Sequence, residues 1–192
     1  MLTVACIYKE GSGFTTKYVD KLQENVAEFC TAPYKFEIIT PQRELPAAVK
    51  GFWIKLELFK KDRFYGTVVY LDLDTIIIDD VTDIFTYPHK FTMGTNWENP
   101  PGPNSTFMAW NGTQDLSYLD TTVDSQMAKA YPRGDQAYIF EKVGVTTTFL
   151  NQIFPKALVS YKYHVKGRGA PAKAKIVAFH GSPRPHEINW RV

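Results

Sequence analysis

No stretch of the 192 residues approaches the run of about 18 apolar residues that a helix needs to cross a bilayer. Cysteine is nearly missing, with only Cys6 and Cys30. Cys6 falls inside an apolar stretch and Cys30 follows a helical pattern, so both are expected as buried, reduced thiols rather than as a disulfide framework. No fixed-period repeat and no low-complexity segment occurs. The first residues, Met1-Leu-Thr-Val-Ala-Cys-Ile-Tyr8, enter an apolar strand with no basic leader before them. These absences predict a cytoplasmic chain without a membrane span.

What is present suits one compact domain over 1–192. Hydrophobic residues make up 44% and aromatics 15%, enough for a chain of this length to bury about 70% of its unfolded surface. The net charge of +2 hides an asymmetry. Residues 156–192 hold eight Lys or Arg against Glu187 alone, a net of +7, which leaves 14 basic and 19 acidic groups, a net of −5, in 1–155. Such a tail is either an exposed surface or a face turned toward an anionic ligand, with the acids upstream holding a cation.

Periodicity places the elements. Leu2–Tyr8 reads as a buried strand, and Tyr18, Leu22, Val26 and Phe29 fall at helical spacing after the turn Lys9–Gly13. Tyr34–Ile39 is a second strand. Phe52–Phe59 is expected to be helical with Lys55 and Glu57 as its polar members, and Thr67–Leu71 is a β-branched, apolar strand. Thr75–Ile78 continues extended, and a helical turn follows at Val81–Phe85. Asn96–Pro103 reads as a loop, Ser105–Trp110 as a strand, Gly134–Val143 as a helix and Ile176–Phe179 as a last strand. Strands alternating with helices predict an α/β sheet with helices on both faces, ligands lying at its carboxyl edge.

The stretch Val68–Asp80, VVYLDLDTIIIDD, drops Asp72 and Asp74 at the end of a core strand. Side chains two apart share a strand face about 6.6 Å apart along the strand, so the two carboxylates can converge on one ligand. Two like charges that close raise each other's pKa unless a cation lies between them. A divalent ion with hard oxygen ligands satisfies both. Two other arrangements compete: solvated strand-end acids, and the aspartyl-phosphatase pattern in which the first Asp of D-x-D is a nucleophile. The latter expects Thr or Val two residues past the second Asp, where this chain has Ile76.

The segment Trp53–Phe85, with the D-x-D inside it, resembles nucleotide-sugar glycosyltransferases of the GT-A type, and among them the retaining, glycogenin- and galactosyltransferase-like family eight. Gly134-Asp-Gln136 is similar to that group's Asp-Gln motif beside the transferred sugar, and Phe179–Glu187, FHGSPRPHE, to its closing His…G-x-x-K-P-W motif. The resemblance implies a Rossmann-like, mainly parallel mixed sheet flanked by helices, with a compact C-terminal part closing the site. It implies that Asp72, Asp74 and His180 hold Mn²⁺ (or Mg²⁺). Gly181 would let the backbone approach the diphosphate, Arg184 would neutralise it, and Asp72 would also face the donor. Tyr8 would stack near the base, Lys55 would contact the nucleotide, and Asp135 and Gln136 would touch the sugar. The chain departs from the pattern in that His180 abuts Gly181 without spacer residues, Arg184 replaces Lys, and His186 replaces Trp.

The activity so implied is transfer of a sugar from a nucleoside-diphosphate sugar, UDP by analogy, to an acceptor hydroxyl with retention. The acceptor stays open between a saccharide and nucleic acid, including hydroxymethylated DNA met by the basic tail. A binder of sugar nucleotides without catalysis is the remaining alternative.

Overall fold

The computed structural model describes residues 1–98 and 102–188. The first strand, β1 (Leu2–Ile7), is buried along its whole length, as a strand covered on both faces must be. Helix α1 (Thr16–Phe29) lays Val19, Leu22 and Val26 onto one face of the sheet, the three-and-four spacing that the sequence carries. Strand β2 (Tyr34–Ile39) runs parallel beside β1, half exposed. Lys35 and Glu37 pair across its solvent face at 2.7 Å, charge that blunts an open sheet edge.

Gly51–Phe59 forms a 3₁₀ helix that is buried from Leu56 to Phe59. Its two polar members are buried as well: Lys55 is 8% and Glu57 1% exposed. Glu57 survives there because it accepts from the Gln42 and Arg43 backbone amides and from the Lys60 ammonium, 2.9 Å away.

Strand β3 (Thr67–Leu71) pairs parallel with β1. The chain then steps out of this sheet: β4 (Thr75–Ile77), expected as a continuation, belongs to a second, three-stranded sheet. After α2 (Thr82–Thr86) come the hairpin strands β5 (Phe91–Thr95) and β6 (Pro103–Asn111), with β6 antiparallel to β3. The intervening loop expected at Asn96–Pro103 is closed by Asn96, whose N–H donates to the Gly102 carbonyl and whose Oδ1 accepts from the Gly102 N–H, both at 2.8 Å. Its residues 99–101 lie outside the described residues.

Helix α3 (Ser125–Ala130) is capped by Asp124, and α4 (Asp135–Val143) starts one residue after the expected Gly134, which is its N-cap. Strand β7 (Thr148–Phe149) pairs parallel with β5, α5 (Leu150–Ile153) follows, and β8 (Leu158–Ser160) and β9 (Ile176–Ala178) complete the second sheet. The main sheet therefore runs β2-β1-β3-β6-β5-β7, mixed and mostly parallel, and the second β4-β9-β8. Separate apolar clusters fill the two faces of the main sheet and the outer side of the small one. Cys6 and Cys30 are buried free thiols, and burial pushes Cys6 up to about 12. Among the described residues no helix is long and apolar enough to cross a membrane.

Candidate active site

Asp72 and Asp74 stand where the chain passes from one sheet to the other. The Asp72 amide still donates to the Thr106 carbonyl (2.9 Å), continuing the β3–β6 ladder, while the Asp74 carbonyl already accepts from the Phe179 amide (3.0 Å), opening the β4–β9 ladder. Beside this step lies a crevice of about 550 Å³ at the carboxyl end of β1 and β3. Asp72, Asp74, Lys55 and Arg184 line one part of it, and Ile7, Phe14, Leu45, Val49, Phe52 and Ile54 form its apolar wall.

Lys55 is the hub of a buried polar network. Its ammonium reaches both oxygens of Asp72, at 2.7 and 2.9 Å, and donates to Ser105 Oγ at 3.0 Å. Asp135 Oδ2 lies 4.0 Å from the same nitrogen and accepts from Ser105 Oγ at 2.7 Å. Tyr70 O–H closes the ring by donating to Asp72 Oδ1 at 2.7 Å. Burial opposes the Lys55 charge, but Asp72 and then Asp135 outweigh it and raise its pKa above the ordinary lysine value. Burial raises Asp135, with Lys55 working against the shift. Gly134 lets α4 deliver Asp135 to this place: its φ is +83°, and a Cβ there would stand 2.3 Å from the Phe52 ring.

Asp74 is treated differently by the fold. Among the described residues it has no ion-pair partner, and Lys55 and Arg184 act on it only through space. Burial, and next the Asp72 charge, push its carboxyl up to about 7. Arg184 is held opposite by the Gly13 carbonyl (3.0 Å) and the Phe14 ring, 4.3 Å from its guanidinium carbon. The residues around it secure this C-terminal segment: Glu187 accepts from the Arg184 amide at 2.7 Å, and His186 Nδ1 hydrogen-bonds the Tyr18 hydroxyl.

The expected site residues thus divide. Asp72, Asp74, Lys55 and Arg184 come together. Lys55, expected to touch the nucleotide, instead commits its ammonium donors to Asp72 and Ser105. Tyr8 packs on the α1 side of the sheet and is not among the crevice residues, because its neighbour Ile7 takes the crevice face. Asp135 lies behind the acid pair inside the network, and Gln136 is half-buried on the first turn of α4, outside the crevice lining. His180 is carried next to Asp74 by the β4–β9 ladder, but its Nε2 bonds Ser160 Oγ (2.7 Å) and its ring is stacked on Trp97. Among the described residues no three His, Cys, Asp or Glu side chains cluster to hold a metal, so the expected Asp72–Asp74–His180 triad is not assembled. The direct His180-Gly181 junction, where the resembling family has spacers, accompanies this difference. Gly181 does adopt a φ of +72°, and a Cβ there would lie 3.3 Å from Lys162 Nζ.

Sequence reasoning missed Tyr70, Ser105 and Lys162. Tyr70 sits two before Asp72 on one strand face, a signal that was available. Ser105 and Lys162 reach the site through pairings of distant segments, which no local pattern announces.

This architecture is the GT-A-like fold of glycosyltransferases. The chain is similar to the galactosyltransferase LgtC, solved in complex with donor and acceptor sugar analogs. The TM-score is 0.66 at 10% identity, over 96% of this chain and 89% of that one. It is similar also to the glycosyltransferase GlyE of Streptococcus pneumoniae TIGR4 (TM-score 0.63, 11% identity, 96% of this chain and 55% of that one). A glycosyltransferase involved in glycosylation of the major capsid of PBCV-1 matches at a TM-score of 0.56 and 13% identity, over 97% of both chains. At these identities the likeness is one of fold. No protein-family model matches the sequence, and no curated protein does.

Proposed function

We propose that the protein, acting through a single domain, is a glycosyltransferase that moves a sugar from a nucleoside-diphosphate sugar to an acceptor hydroxyl. The observation that carries this reading is the crevice itself: a carboxylate pair and an arginine facing one another at the carboxyl edge of a GT-A-like sheet. An apolar wall beside them suits a nucleoside, and Arg184 with Lys162 suits the diphosphate.

The fold family implies a divalent cation, and the residues fit one. Asp74 is a half-buried carboxylate with no ion-pair partner among the described residues, lifted to about 7 by burial and by Asp72. Asp72 and Asp74 would hold the ion, whose oxygen-rich set suits Mg²⁺ or Mn²⁺. His180 would join them only after leaving Ser160. When bound, the cation neutralises charge developing on the departing diphosphate.

The chain's own groups do the rest. Lys55 and Tyr70 fix the rotamer of Asp72, so the acid pair is presented rather than left to rotate. Arg184, pinned by Gly13 and Phe14, stabilises the leaving oxygens where charge appears. Asp135, tied through Ser105, keeps Lys55 charged, and the sugar contact assigned to Gln136, on the first turn of α4, rests on the family resemblance. Uridine as the base and retention of configuration follow from the family resemblance. A thermal-shift panel of nucleotide sugars with and without Mn²⁺ tests the reading. Mn²⁺-dependent stabilisation by one of them, with slow donor hydrolysis, is expected. No response to any sugar nucleotide, or hydrolysis unchanged in EDTA, overturns it.

A further inference from the structure

The segment 156–175 carries six Lys or Arg and no acid. Lys156, Lys166, Arg168 and Lys173 are exposed, and of the six only Lys175 has an ion-pair partner among the described residues, Asp83 at 2.9 Å. Lys162 ends beside the Gly181 backbone, so the cationic face begins close to the crevice segment that carries Arg184. Where these lysines and Arg168 have no acid in contact among the described residues, like charges repel one another, and that cost is offset when an anion lies across them.

A ring stack is set into the same face. Tyr163 and Trp97 each lie nearly parallel to His180, with centroids 5.8 and 5.1 Å away and interplanar angles of 23° and 14°. Tyr163 is 50% exposed, and Ser160 holds it in place by accepting from its backbone amide (3.3 Å) while bonding His180 Nε2 (2.7 Å). Among the described residues the buried Trp97 indole N–H has no partner. Lys162 and Lys166 flank Tyr163 on one π-helical turn, closed by the Lys166 amide donating to the Tyr161 carbonyl at 2.8 Å. Beyond it Gly167 and Gly169 hold positive φ with open space where a Cβ would be, so a ligand can pass close to the backbone.

We propose that this face binds a saccharide chain bearing carboxylate or phosphate groups, the class of acceptor that the crevice would glycosylate. The acceptor role rests on reading the crevice as a sugar-nucleotide site. One held aromatic face suffices for one sugar ring, and the lysines and Arg168 match anionic substituents along the chain. Single-stranded nucleic acid is favoured where several rings take successive bases, whereas Tyr163 is the one large exposed hydrophobic described in this segment. For the same reason a bilayer finds charge here but little to bury.

The test uses the full chain and titrates labelled oligogalacturonate, a phosphorylated oligomannose, a neutral malto-oligosaccharide, an oligodeoxynucleotide of matched charge and phosphatidylglycerol vesicles. The two anionic saccharides distinguish carboxylate from phosphate as the charged group. One or both should bind, with affinity falling about tenfold as salt rises from about 50 to 200 mM, and the neutral oligomer should not. Lys166→Ser/Arg168→Ser/Lys173→Ser should weaken saccharide binding about tenfold and leave sugar-nucleotide binding unchanged. Tyr163→Ala should weaken it severalfold at constant charge. Tighter binding of the oligonucleotide or of the vesicles, no anionic saccharide bound, or saccharide binding indifferent to Tyr163 or to the basic residues overturns the proposal. If the anionic saccharide binds as described while no sugar nucleotide stabilises the protein, the surface stands and the catalytic reading of the crevice falls.

Discussion

Replacing Asp74 by Asn is expected to abolish metal-dependent donor binding and at the same time to stabilise the free protein at neutral pH. Burial and the Asp72 charge raise this carboxyl from 3.8 to about 7. A carboxyl whose folded pKa lies above its unfolded value makes the folded chain retain a proton that the unfolded chain has released. Relative to the protonated state, folding stability is therefore intact below about pH 4, declines as pH rises and reaches its floor above about pH 7. About three units at about 1.4 kcal/mol each set an upper bound of about 4 kcal/mol. The side chain keeps some contact with solvent at the crevice, which discounts the penalty to about 2 kcal/mol. Asn keeps the shape without the charge. For 192 residues, about 2 kcal/mol corresponds to a Tm difference of about 4–8 °C. Thermal unfolding in EDTA across about pH 4.5–8 checks this: the two curves should lie close at the acid end, separate as pH rises and run parallel above about pH 7, with wild type the lower. Curves parallel throughout, or a variant less stable at about pH 8, would refute the claim that Asp74 is a strained, uncompensated charge.

Three further outcomes follow from the same geometry. Lys55→Met leaves Asp72 and Asp135 buried without their cation and should cost about 3–5 kcal/mol in urea denaturation, with Lys55→Arg recovering part of it. Gly134→Ala forces a left-handed φ on alanine and drives its Cβ into the Phe52 ring, so a loss of about 1–3 kcal/mol and weakened turnover are expected, read by thermal unfolding and donor consumption. Ser160→Ala removes the bond that holds His180 Nε2, costs about 1 kcal/mol, and should tighten the Mn²⁺ midpoint in a thermal-shift titration; an unchanged midpoint would exclude His180 as a ligand.

The first half of the fold was legible because its elements carry their periodicity in short windows. The β1 and β3 runs, the stripe of α1 and the acid pair closing β3 are all local signals. What escaped depends on partners far along the chain. Thr75–Ile77 reads as an extension of β3 until β9, about a hundred residues later, claims it for another sheet. Nothing local announces the burial of Lys55 and Glu57, which Asp72, Ser105, Lys60 and the Gln42–Arg43 amides make tolerable. Tyr8, placed by analogy near the base, packs on the α1 side of the sheet, an alternation around Ile7 that local reading could have followed. His180 shows the same limit: a motif puts the residue at the right strand end, but Ser160 and Trp97 decide where its ring points.

The three-residue step from Asp72 to Asp74 also has a mechanical meaning. It joins two sheets that share one oily interior, since Ile77, Leu158, Ile176 and Ala178 of the small sheet pack in the same cluster as Val4, Cys6, Val69 and Leu71 of the large one, so a strain at the step is passed to both. A guest gripped across that step would act as a rivet. Its arrival should be felt as slowed amide exchange along β8 and β9, on the far side of the seam from the wall that cradles it.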